Sequence, residues 1–434
     1  MPVKSVLSGL VLITIALPVV AQTVASPPPP PLSLAQAEQL ALKNNPRIAV
    51  SRLLALAEEQ VTREVRSAEL PLVLANLTAV GSHEGSRITA GALNNPVVYQ
   101  RAAGGLSLSQ LLTDFGRSRN LIRSAQLRAQ AEASAQLATT ADVTIAVDEA
   151  YYRALGAQSV LRVAAEAVAA RQTTSDQVSA LTTAKLKSTL DLNFANVNLA
   201  QAKLLLLDAQ NENQAAMASL NALLGSEQAD TYTLVDDTAV SEAPPPNNPD
   251  ALVAQAFQAR PDLQSLQQQA SAAQKFSAAE HDLKRPIISA LGTTGVTPVR
   301  ADQITSSWYG AAGVNVSIPI FNGYLFTARA AEADLRAASA QKQVEGLRQS
   351  IARDVRTTLL QAQSNFQRIA VTQQLLDQAN SAFDLAQTRY KIGLSSIVEL
   401  SQAQLAQTEA QIGYATARYS YQGSLATIRY QTGR

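Results

Sequence analysis

Two histidines, His83 and His281, are the only imidazoles in this 434-residue chain, which has no cysteine at all. Without a thiol there is no disulfide frame, no thiolate metal site, no thiol nucleophile and no lipid-bearing cysteine. His83 falls in a polar Gly/Ser stretch and His281 in an unrelated context ahead of Pro286. Neither comes with a carboxylate pair or a phosphate-cradling glycine loop. The expectation is no enzyme, no cofactor and no metal site, since neither a Met cluster nor a His-rich stretch marks a metal path. Lys and Arg number 35 against 34 Asp and Glu, so no basic excess points to nucleic acid. The polar groups with a purposeful spacing are of another kind. Ser188-Thr-Leu-Asp191 and Ser396-Ile-Val-Glu399 each place a hydroxyl three residues before a carboxylate. That is the capping-box spacing, by which a helix satisfies its first free N–H groups.

Each box must open a helix, and something must close the helix before it. In "RYKIGLSSIVELSQAQ" (389–404), Gly393 suits the left-handed position just past a helix end, and Arg389 and Lys391 sit near that end's partial negative charge. The first box has no such glycine, because Lys185 stands where Gly393 does. Both places read as tips of helix hairpins, at about 182–190 and about 392–397. From Gly116 to Gly225 and from Gly323 to Gly433 the chain is rich in Ala, Gln and Leu, with apolar residues three and four apart and no proline. That pattern predicts long helix or coiled coil. A helix over about 117–181 would reach roughly 100 Å, far more than a compact domain needs.

The prolines also expose a duplication. "LALKNNPRI" around Pro46 returns as "QAFQARPDL" around Pro261, and "ELPLVLANL" around Pro71 as "KRPIISALG" around Pro286. Likewise "LSLSQLLTDFG" (106–116) returns as "VNVSIPIFNG" (314–323). The repeats are 33–225 and 250–434, each opening with a helix, about 33–69 and 250–284. Strand-like segments follow at about 71–80 and 100–112, then at about 286–295 and 308–320. Leu106 and Leu108 alternate with Ser107 and Ser109, while Val314, Val316, Ile318 and Ile320 alternate with Asn315, Ser317 and Pro319. Period two means one apolar and one polar face, a pattern that a soluble hairpin and a membrane strand share.

Ahead of the repeats, Lys4, an apolar Val6–Val20 stretch too short to span a bilayer, and the small exit Val19-Val20-Ala21 read as a secretory signal over 1–21. The mature chain would start at Gln22. Residues 22–32, with their proline run, form an extended lead-in. Residues 226–249, with prolines and acids, read as a surface linker between the repeats.

"LLTDFGR", "SIPIFNG" and "RYKIGLSSIVEL" with the following Gln-Ala-Gln, set in a duplication from Leu32 to Arg434, resemble the TolC family of outer-membrane efflux proteins. These are the outer-membrane factors of tripartite efflux and type I secretion systems. The resemblance implies a fold that is mainly α with a membrane β-barrel. In it a homotrimer of tandem-duplicated protomers, each giving four strands, builds one twelve-stranded β-barrel that continues into a long periplasmic α-helical barrel. Physics agrees, because four short strands cannot close by themselves and open edges are not tolerated in lipid.

The resemblance further implies a place in the bacterial outer membrane, with the helical barrel in the periplasm and residues 226–249 in a belt around its middle. The implied function is an exit duct for small molecules or proteins, docked through a periplasmic adaptor (membrane fusion protein) to an inner-membrane transporter. Tyr390 and Asp191 take positions whose counterparts join inner and outer helix pairs at a periplasmic gate, here through a hydroxyl–carboxylate hydrogen bond. Glu399 and Gln402 match positions of acidic rings at the constriction. Ser188, Gly393, Ser395 and Ser396 form the tips and the implied adaptor docking site. The family often has an arginine at the position of Ser395, so its absence implies a weaker latch. Tyr99, Trp308 and Tyr309 fall near strand starts, where an interfacial aromatic belt would meet outer-membrane lipid. The residues themselves leave a second reading open: a soluble periplasmic coiled-coil structural or adaptor protein whose strands form a small domain.

Overall fold

The computed structural model describes residues 30–81, 83, 101–226, 232–236, 243–299 and 306–433. The 1–21 targeting segment and Tyr99 lie outside the described residues. The first repeat runs β1 (Pro31–Leu32), α1 (Leu34–Asn44), α2 (Pro46–Arg66), β2 (Leu72–Val80), β3 (Arg101–Thr113), α3 (Arg117–Thr183) and α4 (Thr189–Leu224). After β4 (Thr233–Leu234), the second runs α5 (Pro249–Ala259), α6 (Pro261–His281), β5 (Ile287–Val299), β6 (Trp308–Ser317), α7 (Leu325–Lys391) and α8 (Ile397–Gln431).

Two expectations are corrected. The opening helix of each repeat is two helices, because Asn45 (φ −67°, ψ 122°) and Arg260 (φ −70°, ψ 121°) are extended. A residue before proline avoids the α region, and Pro46 and Pro261 then take the first helical position, where a missing N–H costs nothing. Strand β6 stops at Ser317 and not at 320, since Pro319 has no N–H for a ladder. The linker 226–249, though mostly exposed where described, is pinned to the lead-in at one place. β1 and β4 pair in parallel, and Leu32 and Leu234 are buried among Val143, Val147, Leu155, Leu220 and Leu224. The hydroxyl of the buried Tyr151 lies 2.8 Å from the carbonyls of both Leu32 and Val235, tying the strand pair to α3.

α3 and α7 have 67 residues each, so both reach roughly 100 Å. Their buried positions are largely small or β-branched, such as Ala125, Ala154, Ala164, Ala330 and Ala362, which lets neighbouring helices approach closely. α3 packs on α2 and α6 toward the sheet and on α4 and α8 toward the tips, while α7 packs on α6 and α8. The lateral order is therefore α2–α3–α6–α7 at one end and α4–α3–α8–α7 at the other. The sheet has the matching order β2-β3-β5-β6, antiparallel throughout. At the strand-to-helix turn of the first repeat, Asp114 is buried and its Oδ2 accepts from Ser118 N at 2.6 Å, capping α3. Among the described residues, no helix is long and apolar enough to cross a membrane.

Candidate functional site

The hairpin tips lie a full helix length away from the sheet. At the second tip, Gly393 (φ +79°) follows α7, with Leu394 N donating to Arg389 O at 2.8 Å and Gly393 N to Tyr390 O at 3.1 Å. This is the paired bonding of a Schellman end. The first tip makes the same bonds, Leu186 N to Leu181 O at 2.8 Å and Lys185 N to Thr182 O at 3.0 Å. Lys185 is driven to φ +61° to do so, at a cost of about 1–2 kcal/mol for a side chain in that region.

The two boxes then diverge. At the first, Ser188 Oγ accepts from Asp191 N at 3.1 Å, and Asp191 Oδ2 accepts from Ser188 N at 3.1 Å and from its Oγ at 2.9 Å. At the second, Ser396 Oγ accepts from Glu399 N at 3.3 Å, but Glu399 does not return the bond. Its Oε1 lies 3.7 Å from Arg389 Nε across the turn, and Arg389 also donates to Leu394 O at 3.3 Å. The carboxylate faces the guanidinium and not the Ser396 N–H. Gln402 is exposed and, three residues on from Glu399, shares its face of α8.

The hydroxyl–carboxylate link between Tyr390 and Asp191 is not formed. Asp191 is occupied by Ser188, and the Tyr390 hydroxyl is buried with no hydrogen-bond partner, as is Ser395 Oγ. Burial, and secondarily the charge of Asp191, push the Tyr390 phenol up from its ordinary value. The ring rests against Val178, Ala195, Ile397 and Leu400, and Lys187 Nζ lies 4.5 Å from its centroid. Above the tips the hairpins are joined by buried polar contacts, including Gln404 Nε2 to Thr174 Oγ1 at 3.3 Å and Arg171 to Thr408 Oγ1 at 3.4 Å. His281, more than half exposed, has its Nε2 3.0 Å from Asp334. Among the described residues, no group of three or more His, Asp or Glu could hold a metal.

At the far end, strand register sorts the side chains by face, because residues directly opposite each other share one. One face carries Val73, Ala75, Leu77, Leu106, Leu108, Ile288, Val314 and Val316, with Gln110 and Thr294 among them. The other carries Asn76, Thr78, Ser107, Ser109, Ser289, Thr293, Asn315 and Ser317, interrupted by Leu72, Leu74, Val80, Leu111, Ile287 and Leu291. Trp308 pairs with Val296 on the apolar face and is 63% exposed. Tyr309 is a correction to the aromatic belt. It pairs with Gly295 on the polar face, where Cβ atoms added at Gly105 or Gly295 would collide with its hydroxyl. Adjacent residues of a strand point oppositely, so both cannot meet lipid.

Residues 37–226 and 252–434 match the family model described as outer membrane efflux protein. The chain belongs to that family. Two curated relatives, outer membrane protein TolC of Salmonella enteritidis and of Escherichia coli (strain K12), are each 26% identical, over 121 and 109 residues. Those stretches cover 28% and 25% of this chain, and only 25% and 22% of the respective relatives' lengths. The outer-membrane channel OprN has a similar fold, with TM-score 0.82 and 20% identity over 92% of this chain and 89% of its own. So has the Campylobacter jejuni CmeC outer membrane channel, with TM-score 0.82 and 17% identity over 92% of this chain and 85% of its own. As an outer membrane efflux protein, the chain is a mainly α, tandem-duplicated member of a family of outer-membrane channels, not of enzymes. Its place is the outer membrane, with the helices in the periplasm.

Two contacts of the tips have little signal in the sequence. Arg389, placed there only at its helix end, lies as far before Leu394 as Glu399 lies after it, so hairpin symmetry about the turn is the available signal for their pair. Lys187 has no local signal toward Tyr390, because their contact crosses between repeats.

Proposed function

We propose that three copies of this chain close into one tube that serves as an exit duct through the outer membrane. The hairpin tips dock a periplasmic adaptor and, through it, an inner-membrane transporter, and the cargo is small molecules or proteins. The observation that carries this reading is a matched pair of unfinished edges. Strands β2 and β6 end the sheet, on the same two sides where α2 and α4, and opposite them α7, end the helical layer. α2 exposes Val50, Leu53 and Leu54, α4 exposes Phe194, Val197 and Leu204, and α7 exposes Leu335, Leu360 and Leu375. Two unlike edges join head to tail and close into a ring. Two copies would give eight strands, whose interior side chains fill, whereas three leave a lumen. The apolar face with Trp308 then meets lipid, and the face with Asn76, Ser107 and Tyr309 lines the bore.

In this reading the chain is exported by its 1–21 signal. Ser188, Gly393, Ser395 and Ser396 lie at the periplasmic mouth, and Glu399 and Gln402 of three copies line a constriction there, with Glu399 alone supplying its negative charge. In detergent the protein should have three times the mass of the mature chain and should conduct, with cation preference, in planar bilayers. Glu399→Gln should lower that preference. A stable monomer without detergent would overturn the proposal in favour of the soluble coiled-coil reading.

A further inference from the structure

We infer that the two hairpin tips of each protomer are latched by the Lys187 ammonium lying on the face of the Tyr390 ring, so that this tyrosine acts through its ring and not its hydroxyl. The inference rests on the proposal that the tips form the closing end of the duct. The charged groups nearest the ring, Asp191 and Arg389, are spent within their own hairpins. Asp191 is held by Ser188, and Arg389 by Glu399 and by Leu394 O. The Tyr390 hydroxyl is buried without a partner, so it supplies no hydrogen bond to break. What crosses from the first hairpin to the second is Lys187 Nζ, 4.5 Å from the ring centroid. That is well inside the distance at which a cation is drawn to an aromatic face.

The ring also packs against apolar side chains, with Val178 and Ala195 from the first hairpin and Ile397 and Leu400 from the second. The ring is therefore fixed, and Lys187 is half-buried over it, which strengthens the attraction relative to a solvated pair. The duplication supports the assignment. With Ser188 matched to Ser396, Lys187 matches Ser395 and Tyr390 matches Thr182. Each repeat supplies the half that the other lacks, a cation from the first and a ring from the second.

The test is a four-variant series read in two ways. Lys187→Met and Tyr390→Leu remove one partner each, whereas Lys187→Arg keeps a cation and Tyr390→Phe keeps the ring. Single-channel recording of the trimers should show the open-to-closed ratio rising by about two- to five-fold for each protomer latch lost in the first pair of variants. The second pair should match wild type. Because the chain has no cysteine, spin labels placed by Ala184→Cys and Lys391→Cys report tip separation whether or not the protein conducts. The distance distribution should widen in Lys187→Met and Tyr390→Leu only. The latch is overturned if Tyr390→Phe widens it as much as Tyr390→Leu, or if Lys187→Met leaves it unchanged. A wild-type protein that never conducts would count against the duct, while the label distances would still decide the latch.

Discussion

Arg329→Met destabilises the folded protein by about 2–4 kcal/mol, the cost of leaving a buried carboxylate without its partner. Glu280 is 2% exposed and receives Arg329 in a two-pronged pair, Nε to Oε2 at 2.7 Å and Nη2 to Oε1 at 3.1 Å. Arg329 itself is 43% exposed, which places the figure below that for a fully buried pair. The pair joins α6 to the start of α7 just below the sheet. Close by, Asp334 of α7 accepts from Ser277 and meets His281, and Asp282 holds both Asn120, at 2.9 Å, and Arg285, at 3.2 Å. Circular dichroism during denaturant unfolding in detergent should show the loss. The double variant Glu280→Met/Arg329→Met should recover most of it, since an apolar pair replaces both charges. A double variant as unstable as Arg329→Met would mean that lost packing, not the stranded carboxylate, is the cause.

The parts of this fold legible in the sequence were those decided by near neighbours along the chain. Pro46 and Pro261 exposed the duplication, but the local break that proline imposes on the residue before it went unused, and each opening helix is two where the sequence predicts one. Ser188 and Asp191 formed their box because both ends lie within one helical turn. Glu399 did not, facing Arg389 of the preceding helix instead, and no local rule weighs a cross-turn charge against a cap. Trp308 and Tyr309 looked alike as adjacent aromatics. Only strand register, which fixes Tyr309 opposite Gly295 and Trp308 opposite Val296, separates their faces. The packing of Leu32 beside Leu234 and of Lys187 over Tyr390 joins segments about two hundred residues apart, where neither period nor propensity carries information. The long alanine-rich helices were legible for the opposite reason, since many weak local preferences sum over their length.

The stability of the wild-type protein should fall as pH rises from about 4 to about 7 and then level off, and Asp148→Asn should remove that part of the slope. Asp148 of α3 is 5% exposed, and its Oδ1 is buried without a donor. Burial, then a hydrogen bond and charge from Glu38 of α1, push its carboxyl up to about 7, against the opposing charge of Arg429 of α8, with Glu149 raising it further. Arg429 Nη2 stays 3.5 Å away from Oδ2, and the nearby Tyr152 phenol is itself pushed up by burial. The interaction with Glu38 joins α1 to α3 where Arg429 brings in the second repeat. In the unfolded chain the same carboxyl releases its proton near its ordinary value of 3.8. Between the two values the folded state therefore binds more protons, and each pH unit of rise costs about 1.4 kcal/mol per proton. Below 3.8 both states hold the proton and above about 7 neither does, so the slope vanishes at both ends. Asparagine fills the same site without a proton to lose, so Asp148→Asn should unfold at a higher temperature than wild type at pH 8 and at nearly the same temperature at pH 4.5. Equal pH dependence of melting in the two proteins would show that Asp148 is ionised in the fold across this range and that Arg429 alone holds it.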